Sequence, residues 1–266
     1  VRTDIQGLRA LAVTVVVVFH LWPTVLGGGY VGVDVFFVVS GFLITGQLVR
    51  SPVRGPRDVA VFWARRIRRL IPAATFVLLV TMVAGVIWLP RTVRGAMGHD
   101  GVASALYVQN WRLATTEADY LSAEQMPSVV QHYWSLSIEE QFYVMWPLLL
   151  GLAAALATVV ARRAGRDART AVTLAVAVTV ASAVVASLAW SVHLTRADPV
   201  RAYFVSTTRM WELAIGGLLA AVLAVAAVRQ APGRAWRHTP AVRAVVAWTG
   251  LVLIVVAAYQ YDAATP

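Results

Sequence analysis

DIQGLRALAVTVVVVFHLWPTVLGGGYVGVDVFFVVSGFLITGQLV, residues Asp4–Val49, decides the fold class. Two apolar runs, Leu8–Leu26 and Tyr30–Val49, flank the triplet Gly27-Gly28-Gly29. Each is long enough to cross a bilayer, which takes about 20 residues. Yet the first run holds Arg9 and His20, and the second holds Asp34. An ionisable group in a spanning helix is costly and normally faces the bundle interior or a wet cavity. Arg9 and His20 are separated by close to three helical turns, so they share one face, about 16 Å apart. That face carries a permanent cation at one end and a titratable base half a membrane away. The layout would bring the reactive end of a charged reagent to a buried base.

The rest of the chain agrees with a membrane setting. Of its 266 residues 59% are hydrophobic and only 14% charged, against about 25% charged in a soluble domain. Further apolar runs cover Leu70–Leu89, Phe142–Val160, Ala171–Val192, Met210–Val228 and Ala244–Tyr261. The expectation is an all-α, polytopic transmembrane helix bundle with about seven spanning helices, one integral-membrane domain over residues 1–266. The second run follows the first with no small-residue cleavage site between them, which argues against a cleaved secretory signal. The absence of cysteine excludes disulfides, thiolate metal sites and a cysteine acyl-enzyme.

The net charge of +10 points to nucleic acid only until its charges are located. All 23 Lys-plus-Arg residues are arginine, and most fall in alternate connections: Arg50–Arg69, Arg162–Arg169 and Arg229–Arg243. The opposite connections hold few. The positive-inside rule then places the N-terminus and these clusters in the cytoplasm of a multi-pass protein of the cell membrane, with no nucleic acid needed. Val59–Leu70, VAVFWARRIRRL, reads as a basic amphipathic helix on the cytoplasmic surface. The Arg91–His132 connection, with Glu117, Asp119 and Glu124, is the longest outside loop and should carry structure of its own.

Each polar candidate has a plain rival. A lone histidine in an apolar helix is usually a satisfied core residue, but a bilayer offers few cheap polar partners, so His20 reads as a functional base. A short turn between antiparallel helices should bring Asp34 to the depth of His20, where it could fix the imidazole tautomer. Structural hydrogen bonding is the rival for Asp34. Arg66 and Arg69 lie three apart on one helical face before Pro72; two guanidinium forks there suit phosphate groups, against ordinary anchoring at the membrane surface. Arg9 faces the same choice. Ser137 to Glu140 fits a capping box at a helix start, which gives Glu140 a structural reading and leaves Glu139 as the better functional candidate. Tyr133, Trp134 and Trp211 fit an interfacial aromatic belt. There is no GxSxG elbow, Walker loop or HExxH pair.

Taken together, DIQGLRALAV, the Arg9–His20 spacing, GVDVFFVVSGFLIT, RRIRRLIP, HYWSLSIEEQFYVMWP and RMWELAIGG resemble the acyltransferase-3 family of bacterial membrane O-acyltransferases. The landmarks occur in order over nearly the whole chain. ASALYVQNWRLATTEADYL is similar to family members fused to an extracytoplasmic SGNH domain. The resemblance implies transfer of an acyl group, usually acetyl, from cytoplasmic acyl-CoA toward a hydroxyl of a cell-surface glycan, with acyl-CoA as co-substrate and no bound cofactor or metal. It places the family's arginine–histidine pair on Arg9 and His20, its Arg-x-x-Arg pair on Arg66 and Arg69, and its SLSxEEQFY box on Ser135 to Tyr143. The family's membrane domain normally has about ten helices, so the chain is expected to be C-terminally incomplete, with later helices and any SGNH domain outside it. In this reading Arg9, Arg66 and Arg69 bind the donor, and His20, Asp34 and Glu139 are catalytic. A glycolipid transporter or flippase, with the same residues lining a path, and a non-catalytic membrane anchor are the alternatives.

Overall fold

The computed structural model describes residues 2–116, 128–229 and 239–261, and every regular element among them is a helix. In chain order these are α1 Thr3–Leu21, α2 Val31–Arg50, α3 Pro56–Trp88, α4 Arg91–Ala105, α5 Gln109–Thr116, α6 Tyr133–Arg163, α7 Ala168–Ala197, α8 Pro199–Phe204, α9 Ser206–Arg229 and α10 Pro240–Gln260. The expected helical membrane bundle is present. Among the described residues, six helices (α1, α2, α3, α6, α7 and α9) are long and apolar enough to cross a membrane. The seventh expected span forms α10, but its apolar part, Ala244–Gln260, is shorter. Side chains such as Phe76, Val83 and Trp88 on α3 are exposed. Apolar exposure on this scale is what a lipid-facing surface requires.

The chain divides into two compact units. One comprises Val1–Gly46 with Glu212–Pro266, and the other Gln47–Trp211. In the first, α1 ends at Leu21 rather than running to Leu26. Pro23 explains the stop, because it biases Trp22 away from helical angles. The chain then folds back beside α1. Leu26 packs with Val15 and Ala258 in a small core, and the Gly28 N–H donates to the Ala258 carbonyl at 3.1 Å. The α2 and α9 backbones cross in direct contact. A side chain on Gly41 would collide with the Leu213 carbonyl, and one on Gly216 with the Val38 carbonyl. Small residues permit this approach, the usual device for packing helices in lipid.

In the second unit α3 and α6 run antiparallel. Tyr133 Oη donates to the Ala74 carbonyl at 2.6 Å, and Trp63 Nε1 donates to the Tyr143 carbonyl at 3.1 Å. The segment expected to lie on the surface, Val59–Leu70, is continuous with the apolar run after it. Pro72 sits inside α3 without ending it. Spanning helices tolerate an interior proline where neighbouring helices and local adjustments re-satisfy the freed groups. Tyr133 and Trp134, expected in an interfacial belt, are instead core residues, 3% and 6% exposed. The Arg91–His132 connection contains α4 and α5, joined by an ion pair between Arg112 and Asp100 at 2.5 Å. Glu117, Asp119 and Glu124 lie outside the described residues.

Candidate active site

Arg9, His20 and Asp34 belong to the first unit. Arg9 is half-buried, with its guanidinium 6.0 Å from the Phe36 ring. His20 lies in the last turn of α1 and is exposed, not buried as expected. Its Nδ1 lies 2.8 Å from the Val16 carbonyl. A carbonyl can only accept, so Nδ1 carries a proton, and in the neutral ring the lone pair is on Nε2. The tautomer is thus set by the ring's own helix.

Asp34 does not stand at the depth of His20. Gly32 lies against Ala12 and Val16, and Phe36 lies against Arg9. Asp34, between them on α2, is therefore level with Arg9–Ala12, roughly two turns or about 12 Å below the imidazole. The expected pairing assumed that α1 continues to Leu26. The early stop and the folded-back turn shift α2 along α1.

Arg66, Arg69 and Glu139 belong to the second unit. The antiparallel register brings the arginine segment beside the SLSIEEQFY box. Arg66 is half-buried, its Cζ 3.9 Å from the Phe62 ring centre and 5.0 Å from that of Tyr143. It interacts electrostatically with Glu139, Glu140 and Arg69. Tyr143 Oη donates a short hydrogen bond to Glu139. Arg66 and Tyr143 each lie ten residues into their helix, about 15 Å from its start. The arginines and the glutamates therefore share one level within the helices, where the sequence reading put them on opposite sides. Within the arginine pair the two environments differ. Arg66 is engaged with rings and carboxylates, whereas Arg69 is exposed and makes no ion pair among the described residues.

The capping box is not formed. α6 begins at Tyr133, with His132 as the residue before its first turn, and Ser137 is buried, donating to the Tyr133 carbonyl at 2.8 Å. Glu140 is consequently a mid-helix residue. Its Oε1 is buried without a hydrogen-bond partner. This removes the structural reading that set Glu140 aside and makes it a functional candidate beside Glu139.

Sequence reasoning missed two supporting residues. Gln141 is the hub of a polar network. Its Nε2 donates to the Tyr107 carbonyl at 2.8 Å and to Asn110 Oδ1 at 2.9 Å, while its Oε1 accepts from Ser206 Oγ at 2.6 Å and from Trp111 Nε1 at 3.1 Å. Asn110 Nδ2 in turn donates to the Phe204 carbonyl and to Ser206 Oγ. Tyr107 is held in the left-handed region with φ 56°, uncommon for a bulky side chain. Burial pushes its phenol above the ordinary tyrosine range, and Glu140 and Tyr133 add to the effect. Gln141 lies inside the SLSIEEQFY box and Tyr107 inside ASALYVQNWRLATTEADYL, yet nothing in their spacing marks them as partners. The signal is tertiary. Among the described residues no group of three or more His, Cys, Asp or Glu side chains gathers as a metal site.

Comparison with known proteins identifies the family. The family model described as an acyltransferase domain matches residues 2–265. The chain is 35% identical over 220 residues to the peptidoglycan O-acetyltransferase OatA of Listeria monocytogenes, covering 82% of this chain and 33% of that protein. It is 38% identical over 224 residues to the putative peptidoglycan O-acetyltransferase YrhL of Bacillus subtilis, with coverage of 82% and 33%. It is 34% identical over 217 residues to the O-acetyltransferase OatA of Staphylococcus aureus strain NCTC 8325, with coverage of 81% and 34%. The matched part is thus about a third of each relative's length. No solved structure matches. A family match across residues 2–265 makes this chain a member of the acyltransferase-3 family.

Proposed function

We propose that this chain is the membrane module of an O-acetyltransferase that moves an acetyl group from cytoplasmic acetyl-CoA toward hydroxyls of an extracytoplasmic cell-wall glycan. The observation that carries the reading is the gathering of Arg66, Arg69, Glu139, Glu140 and Tyr143 at one level inside the α3–α6 pair. The peptidoglycan O-acetyltransferases among the relatives support acetyl as the group and cell-wall glycan as the acceptor. The arginine asymmetry supports an inside N-terminus in the cell membrane.

Each residue has a role in this mechanism. Arg69 neutralises a phosphate of the donor, Arg66 is a cation fixed by Phe62 and Tyr143 near the carboxylates, and Arg9 is assigned to donor binding by the family resemblance. Charge-assisted guanidinium–phosphate contacts are strong and directional. Nε2 of His20 takes the proton of an incoming hydroxyl, whose oxygen attacks the thioester carbonyl; the C–S bond breaks, and the leaving thiolate takes the proton back from the imidazolium. Asp34, level with Arg9, acts on that cation's surroundings rather than on the ring. Glu139 fixes Tyr143, and Glu140 Oε1 offers a desolvated acceptor to an N–H or O–H of the substrate. An SGNH domain, where one is attached, would pass the acetyl group to the glycan.

Membranes containing the chain, given acetyl-CoA with a labelled acetyl group, test this directly. Loss of the thioester coupled to label on glycan hydroxyls is expected. Glycolipid movement with the thioester intact would instead identify a transporter, and neither activity would leave an anchor.

A further inference from the structure

The glycine triplet after α1 has no part in the acyl-transfer reading, although it packs beside the proposed base. Neither Gly28 nor Gly29 has a positive φ, so the turn does not need them for their backbone angles. Both are buried, and each makes room for a neighbour. A side chain on Gly28 would collide with the carbonyls of Ala257, Ala258 and Tyr261 at the end of α10. One on Gly29 would collide with Phe19 Cβ and the Val15 carbonyl. Phe19 is the residue before His20.

His20 stands where support is needed. It lies exposed in the last turn of α1, and helix ends open at almost no cost in free energy. The hydrogen bond from Nδ1 to the Val16 carbonyl fixes one point of the ring. A ring held at one point can still pivot about it. Phe19 supplies the second point. The Phe19 and His20 ring centres are 5.3 Å apart with their planes at 84°, the perpendicular arrangement that aromatic pairs favour. Phe19 is itself held. The Tyr30 ring meets it at 6.1 Å and 75°, and the Gly29 backbone lies against its Cβ. Both holders belong to the segment that folds back beside α1. The Trp22 N–H, donating to the Val18 carbonyl at 2.7 Å, closes the same turn of helix.

We infer that Phe19 and Gly29 are positioning residues for His20. The Gly29 backbone seats Phe19, and the Phe19 ring stops the imidazole from swinging about its hydrogen bond to Val16, so that Nε2 keeps one direction. Their role rests on the proposed reaction, in which His20 is the base. A catalytic group must stand within about 0.5 Å of its productive geometry, and a misplacement of about 1 Å costs about 100-fold in rate. Phe19 and Gly29 bring no reactive group of their own, so they act through His20 alone.

The test uses the whole chain in detergent micelles. Its histidine nitrogens are labelled for NMR at a pH where the rings are neutral, and acetyl-CoA turnover is measured in parallel. The His20 signals are those that vanish in His20→Gln. In the unaltered chain the expected pattern is one tautomer, with the proton on Nδ1. Phe19→Leu stays apolar but loses the ring. It should let the imidazole leave Val16, mix the two tautomers and lower kcat by about tenfold or more, with KM for acetyl-CoA unchanged. Phe19→Tyr keeps the ring and should restore both the tautomer and kcat. Gly29→Ala should behave as Phe19→Leu does; if it fails to fold, the two Phe19 variants still decide. An unchanged kcat in Phe19→Leu, with His20→Gln inactive, would overturn the inference and leave the base in place. So would a loss of kcat at an unchanged tautomer, or one that Phe19→Tyr does not restore. Full turnover in His20→Gln would instead overturn the reading of His20 as the base, and the positioning role with it.

Discussion

Glu140 Oε1 is buried in a helix interior with no hydrogen-bond partner, a state that costs about 1–3 kcal/mol and more for a charged group. In the reading proposed here, that atom is an acceptor held ready for a substrate N–H or O–H. Glu140→Gln should therefore keep or raise the unfolding temperature while lowering acyl transfer by about 100-fold or more. Falling turnover in strict proportion to membrane abundance would return Glu140 to a structural role. The arginine pair divides in the same manner. Arg69→Gln should weaken acetyl-CoA binding by on the order of 1.5–3 kcal/mol at unchanged stability, because Arg69 is exposed and holds nothing else. Arg66→Gln should also lower stability, because Phe62 and Tyr143 pack on its guanidinium. Equal donor affinity in the Arg69→Gln variant and the unaltered chain would assign that residue to anchoring. In the sequence His20 stands out as an ionisable residue in an apolar run, whereas Arg66 has an equally good reading as a surface anchor and Glu139 is singled out only because a capping box accounts for Glu140. The choice between Glu139 and Glu140 was not legible, because it depended on where α6 begins, and a serine three residues before a glutamate looks the same at a helix start as inside a helix.

At the scale of elements, periodicity and apolar length located every long helix among the described residues, and two prolines account for the shift of Asp34 and the length of α3. Pro23 ends α1 and moves Asp34 down the helix pair. Pro72 looks equally able to end a helix, yet α3 runs through it for 33 residues. Packing decides between these outcomes, and packing is a property of neighbours that the local sequence does not contain. Gln141 shows the same limit. It joins the α4–α5 turn, α5, α6 and the start of α9, although in sequence it is one polar residue after two glutamates. Gln141→Leu leaves Asn110 Oδ1, the Tyr107 carbonyl, the Ser206 hydroxyl and the Trp111 N–H without that partner. The expected loss of stability is at least about 2 kcal/mol, measured as a lowered unfolding midpoint in micelles. A change smaller than about 0.5 kcal/mol would mean that water replaces the side chain and that the network is not a staple of the fold.

For the molecule as a whole, composition alone announced the membrane, and the arginine distribution supports an orientation with the N-terminus inside. That orientation has a direct test, because the chain has no cysteine of its own. Arg166→Cys, in the turn between α6 and α7, should react with a membrane-impermeant maleimide only after cells are permeabilised. Val129→Cys, just before α6, should react on intact cells. The reverse pattern would invert the molecule and remove the cytoplasmic donor. The arrangement of polar residues within each unit was much less legible, since it depends on helix register: α2 against α1 in one unit, α3 against α6 in the other. What both units serve, in the reading proposed here, is proton removal by His20 during acyl transfer. The decisive measurement is turnover of acetyl-CoA per folded molecule in a His20→Gln variant, alongside its affinity for the donor. Glutamine can hydrogen-bond but cannot take the proton, so the expected result is turnover reduced by at least about 100-fold with donor affinity unchanged. Turnover close to that of the unaltered chain would contradict the mechanism and leave it without its base.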